Sequence, residues 1–137
     1  MPKLCINSRD ELQMVDLTNV AYLKASGCYT DFHYVQGKVR TEAQCLSVFE
    51  SAISNQYQDA PSPFFRLGRS YLVNTTLIAS VSLPKGTITF TSEEVMPLQL
   101  SKRLLKTVKE HMARLYGKHS LANQNNSETK PYTSERI

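Results

Sequence analysis

The sequence predicts a mainly β, antiparallel fold, with one helix between two groups of strands and a second helix at the C-terminal end. Three observations support this prediction: strand-like alternation before residue 43, its return after residue 64, and helical spacing of apolar residues in only two segments. A chain of 137 residues is long enough for one domain with a substantial core.

The first 42 residues are predicted to be strands joined by turns. Weak alternation up to Leu17 is followed by a short apolar strand at 20–24, and small residues at 25–28 break that strand. Tyr29 to Val35 alternates regularly, which is typical of a strand with two different faces. The pair Gln36-Gly37 favours a tight hairpin turn, with the return strand at 38–42.

The central helix is predicted at about residues 43–55, where Leu46, Phe49 and Ile53 recur at helical spacing. After a loop at 57–63, further strands are predicted at 66–74, 77–83, 87–91 and 95–98, with turns at 84–86 and 92–94. Ser101 is a suitable N-cap for the last helix, which is expected to end between Tyr116 and Gly117.

Composition divides the chain into three parts. Residues 1–10 are interpreted as an N-terminal lead-in, residues 11–117 as the domain, and residues 118–137 as a polar tail that is expected to be disordered. No apolar run approaches the length needed to span a bilayer, and the N-terminus lacks the apolar core of a signal peptide. We therefore expect the protein in the cytoplasm.

Residues suited to catalysis, metal binding or cofactor binding are scarce. Cys5, Cys28 and Cys45 are widely spaced and form no CxxC pair, so buried or half-buried free thiols are expected rather than a disulfide framework or a zinc site. No nucleophile motif and no glycine-rich phosphate loop is present. The sequence therefore predicts no enzyme activity, no metal and no cofactor.

The positive charge is concentrated in the second half of the chain. Residues 1–61 carry five basic and seven acidic side chains, whereas residues 62–119 carry nine basic and three acidic ones. Nucleic acid is one natural partner for such a surface, and an anionic membrane or an acidic protein is another. Charge alone does not choose among them.

The basic residues cluster at two positions along the chain. Arg66 and Arg69 flank Gly68, and a second group, comprising Lys102, Arg103 and Lys106, follows Ser101 at the start of the last helix. A helix N-terminus offers free N–H groups and a favourable dipole to a phosphate. Both groups are therefore candidates for contact with a phosphate backbone.

The segment from Phe65 to Asn74, followed by Ile78, resembles the LytTR family of DNA-binding domains, which shows the pattern F-x-R-x-H-R-S-x-L-V-N with a downstream isoleucine. Residues 20–29 and 96–103 provide weaker matches in the right order, so the resemblance extends from about Glu11 to Tyr116. It implies a mainly antiparallel β fold whose loops enter successive major grooves of bent, double-stranded DNA.

The resemblance implies three contact regions, namely the loop at 26–30, the Gly68-Arg69 step and the start of the last helix. Arg69 is suited to bidentate recognition of guanine and Lys102 and Arg103 to phosphate, whereas Arg66 is expected to support its loop. The full set of predicted DNA-binding residues is Ser26, Tyr29, Thr30, Gly68, Arg69, Ser70, Asn74, Ser101, Lys102, Arg103 and Lys106. The family also implies paired direct repeats, and hence two copies of the chain on DNA.

The chain departs from the family pattern at two positions, where Gly68 replaces a histidine and Lys24 replaces a frequent glutamate. Either change is expected to alter the target sequence. The chain contains no receiver domain, and its Met1 and polar tail favour a free-standing, bacterial transcriptional regulator. The alternative is an interaction module of the same fold, which docks a protein or membrane partner and binds DNA weakly or not at all.

Overall fold

A computed structural model describes residues 2–117 and confirms the predicted fold class. The elements in chain order are β1 (Lys3–Asn7), β2 (Leu12–Asp16), β3 (Val20–Ser26), β4 (Tyr29–Tyr34), β5 (Val39–Ala43), α1 (Leu46–Ser54), β6 (Phe64–Leu67), β7 (Tyr71–Asn74), β8 (Ile78–Ser82), β9 (Thr87–Phe90), β10 (Leu98–Gln99) and α2 (Lys102–Tyr116). The predicted tail at 118–137 lies outside the described residues.

The strands form three antiparallel sheets. The largest has the order β5-β4-β3-β7-β6, and the smaller two have the orders β1-β2 and β10-β9-β8. Because side chains alternate along a strand, the five-stranded sheet has two faces, and each face packs against other elements of the domain.

The first face packs against α1 and the β1–β2 hairpin. Leu23, Phe32 and Leu72 from the large sheet share one apolar cluster with Phe49 of α1 and Leu4 of β1. The ring of Phe32 meets that of Phe49 edge-on, with 5.0 Å between the ring centroids. Burial of this cluster fixes α1 across the sheet.

The second face packs against the β8–β10 sheet and α2. Tyr22 and Val73 of the large sheet share a second cluster with Ile88 of β9 and with Leu105 and Val108 of α2. Leu105 and Val108 are fully buried, as their helical spacing predicts. The large sheet is therefore the middle layer of the domain.

Residues 1–10, which were predicted to lie outside the domain, include a strand of it. Lys3–Asn7 forms β1, and Leu4 is only 4% exposed in the first core cluster. The strand pairs with β2 over five residue pairs, from Lys3 opposite Asp16 to Asn7 opposite Leu12. The pairing of β1 with β2 therefore makes these residues part of the domain.

Three other predicted boundaries were wrong. The central helix begins at Leu46 rather than near residue 43, because β5 extends to Ala43 and Gln44 adopts a φ of 139°. The strand predicted at 95–98 is reduced to Leu98–Gln99. The run predicted as one strand at 66–74 is instead the β6–β7 hairpin, which turns at Gly68.

The cysteines also differ from the prediction, since all three are free and exposed. Cys5 lies on the outer face of β1, Cys28 in the β3–β4 turn, and Cys45 at the N-cap of α1. The Ser47 hydroxyl, and then the Val48 N–H, lower the pKa of the Cys45 thiol by hydrogen bonding to it.

Two histidines are stacked in the second core. The His33 ring lies 4.2 Å from the Tyr22 ring and the His111 ring 3.8 Å from the Phe65 ring, both nearly parallel. Burial is the main cause that lowers the pKa of each imidazole, and it also raises the pKa of Tyr22. Both histidines are therefore stabilised in their neutral form.

This burial makes folding stability depend on pH. Well above pH 6.5, the ordinary pKa of histidine, both imidazoles are neutral in either state. As pH falls below that value, the unfolded chain binds protons that the folded chain resists, so the free energy of unfolding decreases. Urea unfolding at pH 7.5 and at about pH 5.5 should show this loss, because these pH values lie on either side of the ordinary histidine pKa.

The matched control is the double variant His33→Phe and His111→Phe, which keeps both stacked rings and removes both titrating groups. We expect its stability to vary less over the same pH interval. An unchanged pH dependence in this variant would contradict the assignment of the effect to these two histidines.

Candidate nucleic-acid interface

Two predicted contact loops lie side by side at one end of the five-stranded sheet, which we call the loop end. The β3–β4 turn follows Ser26, and the β6–β7 turn spans residues 68–70. Since β3 pairs with β7, with Lys24 opposite Tyr71, both turns project in the same direction. The Ala25 N–H donates a hydrogen bond of 2.8 Å to the Ser70 carbonyl and joins the two loops directly.

The start of α2 lies beside the second of these turns. A Cβ atom placed on Gly68 would lie 3.4 Å from Cδ2 of Leu104, in the first turn of α2. Further along the helix, the contact between His111 and Phe65 holds α2 against β6. The fold therefore brings together all three regions that the family resemblance implies.

Gly68 gives the β6–β7 turn its shape. Its φ of +59° lies in the left-handed region, which residues with a Cβ atom adopt at a cost. The turn exposes Gly68 and Arg69, while Ser70 is half-buried and bound through its carbonyl to β3. The glycine that stands in place of the family's histidine therefore suits this backbone conformation. As a consequence, the tip of the turn carries no imidazole.

The side chain of Arg66 holds the β6–β7 turn in place by hydrogen bonding to its backbone. Its guanidinium donates hydrogen bonds of 3.0 Å to the carbonyls of Gly68 and Arg69 and pairs with the Glu50 carboxylate of α1 at 2.5 Å. In the β6–β7 register Arg66 lies opposite Leu72, on the face covered by α1. The side chain therefore lies on the α1 face of the sheet, where it fixes the turn backbone from which Arg69 projects.

The start of α2 carries an uncompensated positive charge. Ser101 is the N-cap, and its hydroxyl accepts a hydrogen bond of 3.4 Å from the Leu104 N–H. Lys102, Arg103 and Lys106 are exposed, and the first turn contains no acidic residue. Within residues 2–117, the ion pairs involve Arg40 and Arg66, so these three cations are not neutralised by a protein carboxylate.

Two predicted contact residues lie in the interior instead. Thr30 is 0% exposed and Asn74 is 1% exposed. The Thr30 hydroxyl donates to the Gln44 carbonyl at 2.9 Å, where the chain passes from β5 to α1. Asn74 caps the turn of 3₁₀ helix at Thr75–Leu77 and donates to the Val20 carbonyl at 3.0 Å. Neither side chain can reach DNA from these positions, so both support the scaffold.

The structure places a further exposed cation, Lys24, at the loop end. Lys24, which the sequence marked only as a departure from the family pattern, lies on β3 opposite Asp31 and Tyr71, with Nζ 6.0 Å from the Tyr71 ring centroid. Ser26 and Tyr29 are also exposed beside it. The strand register, which the sequence did not provide, places Lys24 next to the β6–β7 turn.

The hydrogen bonds from Arg66 to the β6–β7 turn are expected to stabilise the folded protein. Arg66→Ala should lower the free energy of unfolding by about 1–3 kcal/mol, since hydrogen bonds from a charged group to two backbone carbonyls are lost. Arg66→Lys should recover little, because an ammonium cannot form the planar fork. Chemical denaturation of the folded protein would measure both effects.

Glu50→Gln is the matched control, because it removes the ion pair and leaves both carbonyl bonds intact. For a pair that is partly exposed we expect a loss below about 1 kcal/mol. A loss for Glu50→Gln equal to that for Arg66→Ala would assign the effect to the ion pair and contradict a role for Arg66 in holding the turn.

Membrane-spanning helices and metal-binding clusters are both absent from residues 2–117. Neither helix in this part of the chain is long and apolar enough to cross a membrane. Within the same residues, no three histidine, cysteine or acidic side chains come together in a way that could hold a metal ion.

Comparison with known proteins identifies a matching family and a similar solved structure. The family model described as the LytTr DNA-binding domain matches residues 10–113. No curated protein matches the chain. A solved structure, the LytTr DNA-binding domain of a methyl-accepting/DNA response regulator from Bacillus cereus, is 19% identical with a TM-score of 0.55, and the match covers 80% of this chain and 95% of that one.

Proposed function

Since this chain belongs to the LytTr DNA-binding domain family, we propose that it is a sequence-specific bacterial transcriptional regulator that contacts double-stranded DNA through its loop end. The convergence of the β3–β4 turn, the β6–β7 turn and the start of α2 at one end of the sheet carries the proposal. Such a protein acts where the chromosome is, in the cytoplasm. We propose no catalytic step and no cofactor.

In the proposed complex, the β6–β7 hairpin enters a major groove, which is wide enough for a two-stranded ribbon. Arg69 at its tip forms a bidentate contact with a guanine, supported by the Arg66 hydrogen bonds to the turn backbone. Gly68 leaves this tip without an imidazole, so discrimination at the neighbouring base pair is weak.

The remaining contacts position the domain on the duplex. Lys102, Arg103 and Lys106 bind phosphates together with the free N–H groups at the start of α2. Lys24 adds a further phosphate contact, and Ser26 and Tyr29 meet the backbone of the adjacent groove. Two copies of the chain bind paired direct repeats.

The test is selection of a binding site from a random duplex library, followed by titration of the recovered site and a scrambled duplex at several salt concentrations. We expect the recovered site to bind at least about 10³-fold more tightly at physiological salt. Each phosphate contact should add about 0.9 to the slope of log affinity against log salt. Equal affinity for the two duplexes at every salt concentration would refute sequence-specific binding.

A further inference from the structure

The outer edge of β2 is an unprotected strand edge. Among the described strands β2 pairs only with β1, so its other edge carries backbone N–H and C=O groups with no strand partner. Native proteins usually protect such an edge with charged residues, proline or a bulge. β2 has no lysine, arginine or proline, and its Leu12 and Met14 side chains are each 57% exposed.

The edge strand β5, in contrast to β2, is protected by charged side chains. β5 is one of the two edge strands of the five-stranded sheet, and it carries Arg40 and Glu42, which are charged and paired with each other. Charges of this kind discourage pairing with another strand. The edge of β2 lacks this protection, although it is the more apolar of the two.

A groove of about 460 Å³ runs along the edge of β2. All five residues of β2 line it, and its opposite wall is the β4–β5 hairpin with Tyr34, Lys38 and Arg40. Its volume lies in the range of ligand-binding clefts, and a strand as long as β2 extends about 17 Å. An extended peptide can therefore lie between the two walls, whereas a folded domain cannot.

The charge of the groove selects the kind of peptide. Lys38 is exposed, with Nζ 5.9 Å from the Tyr34 ring centroid, and it takes part in no ion pair of residues 2–117. Arg40 is paired with Glu11 and with Glu42, each at 3.3 Å, and the carboxylate of Asp16 accepts hydrogen bonds from the N–H and the hydroxyl of Thr18. Lys38 is therefore the groove cation without a carboxylate partner among the described residues, and it is available to an acidic side chain of a bound peptide.

We propose that this edge binds an extended acidic segment of a partner protein, which adds to β2 as a strand. Along such a strand, side chains alternate between two sides. One set lies beside Leu12 and Met14 and is apolar, and the other points towards Lys38 and Arg40 and is acidic. The preferred segment therefore alternates apolar and acidic residues.

The peptide site and the proposed DNA interface are separate. Lys38 follows the β4–β5 turn, which lies at the opposite end of the five-stranded sheet from the β3–β4 and β6–β7 turns. The partner segment can thus bind while the loop end is occupied. The proposal does not depend on DNA binding, and either can fail without the other.

Titration of the ¹⁵N-labelled, 137-residue protein with acetyl-Glu-Val-Glu-Val-Glu-Val-amide tests the proposal. We expect saturable shifts of the amide signals of residues 12–16 and 38–40. The same peptide with lysine for glutamate should bind at least about tenfold more weakly, a difference of about 1.4 kcal/mol. So should a version with alternate backbone nitrogens methylated, which cannot pair with a strand edge.

Met14→Asp and Lys38→Glu should each weaken peptide binding about tenfold, equivalent to about 1.4 kcal/mol, and leave affinity for the recovered DNA site unchanged. Lys109→Glu, on the exposed surface of α2, is the charge-matched control and should have no effect on peptide binding. Both altered side chains are exposed, so thermal unfolding should confirm that the variants fold.

Three results would overturn the proposal. The first is the absence of saturable shifts in residues 12–16 up to millimolar peptide. The second is equal binding of the methylated peptide, which would exclude strand addition. The third is a dimer in sedimentation that Met14→Asp abolishes and the peptide does not dissociate, because a second copy of this chain would then be the occupant.

Discussion

Asn74→Ala is expected to lower the free energy of unfolding by about 3–5 kcal/mol, because several buried polar groups lose their partners together. Its amide donates to the Val20 carbonyl, and its Oδ1 accepts from the N–H and the hydroxyl of Thr76 at 3.1 and 2.6 Å. The Asn74 side chain is 1% exposed and Val20 is 0% exposed, so water cannot replace the bond to the Val20 carbonyl without opening the structure. Urea denaturation monitored by circular dichroism would measure the loss.

Thr76→Val is the matched control for Asn74. It removes only the hydroxyl bond to Oδ1 at an exposed position, and we expect a loss below about 1 kcal/mol. Folded Asn74→Ala protein, at a temperature where it is stable, should bind DNA as the unaltered protein does. Weaker DNA binding with undiminished stability would indicate that Asn74 contacts DNA, and it would contradict the scaffold role of this residue.

Arg69→Ala should reduce affinity for the preferred site by about 1–3 kcal/mol and remove discrimination at one base pair only. The physical reason is that a bidentate guanidinium contact is specific to guanine, and Arg69 is exposed at the tip of a turn whose backbone Arg66 holds in place. Binding to the preferred site and to its single-base variants, measured by fluorescence anisotropy, would identify the base pair.

Lys102→Ala supplies the contrast to Arg69→Ala. A phosphate contact carries no sequence information, so this variant should weaken binding to all duplexes alike and reduce the salt slope by about 1. Lys38→Ala, at the opposite end of the sheet, should leave DNA affinity unchanged. If Arg69→Ala and Lys102→Ala weaken binding to every sequence equally, the separate roles of these two residues are wrong.

Local patterns were sufficient to predict most of the fold. The alternation at Tyr29–Tyr34, the Gly37 turn and the apolar stripe of α2 each predict an element that the structure contains, since each depends on contacts between near neighbours. β1 was missed because it is defined by pairing with β2. The β6–β7 hairpin was taken for one strand because its residues are apolar on both sides of a single glycine.

The residues of the candidate interface also fall into two groups, those that local sequence features identified and those whose burial these features did not reveal. Sequence identified the cations of α2 and Arg69, because an exposed charge near a helix start or a glycine turn is a local feature. Sequence could not separate exposed polar residues from buried ones, so Thr30 and Asn74 were grouped with Arg69. Their hydrogen-bond partners, the Gln44 carbonyl for Thr30 and the Leu17 and Val20 carbonyls for Asn74, come from other parts of the chain.

By itself, the sequence determined the family, the fold class and the excess of positive charge in residues 62–119, because these depend on composition and local pattern. Only the tertiary structure decided what each side chain faces. Arg66 and Arg69 are three residues apart and chemically identical, yet the strand register directs one to Glu50 and leaves the other exposed in the turn. The tertiary structure also left the outer edge of β2 open, since a free strand edge is defined by the strands that do not pair with it.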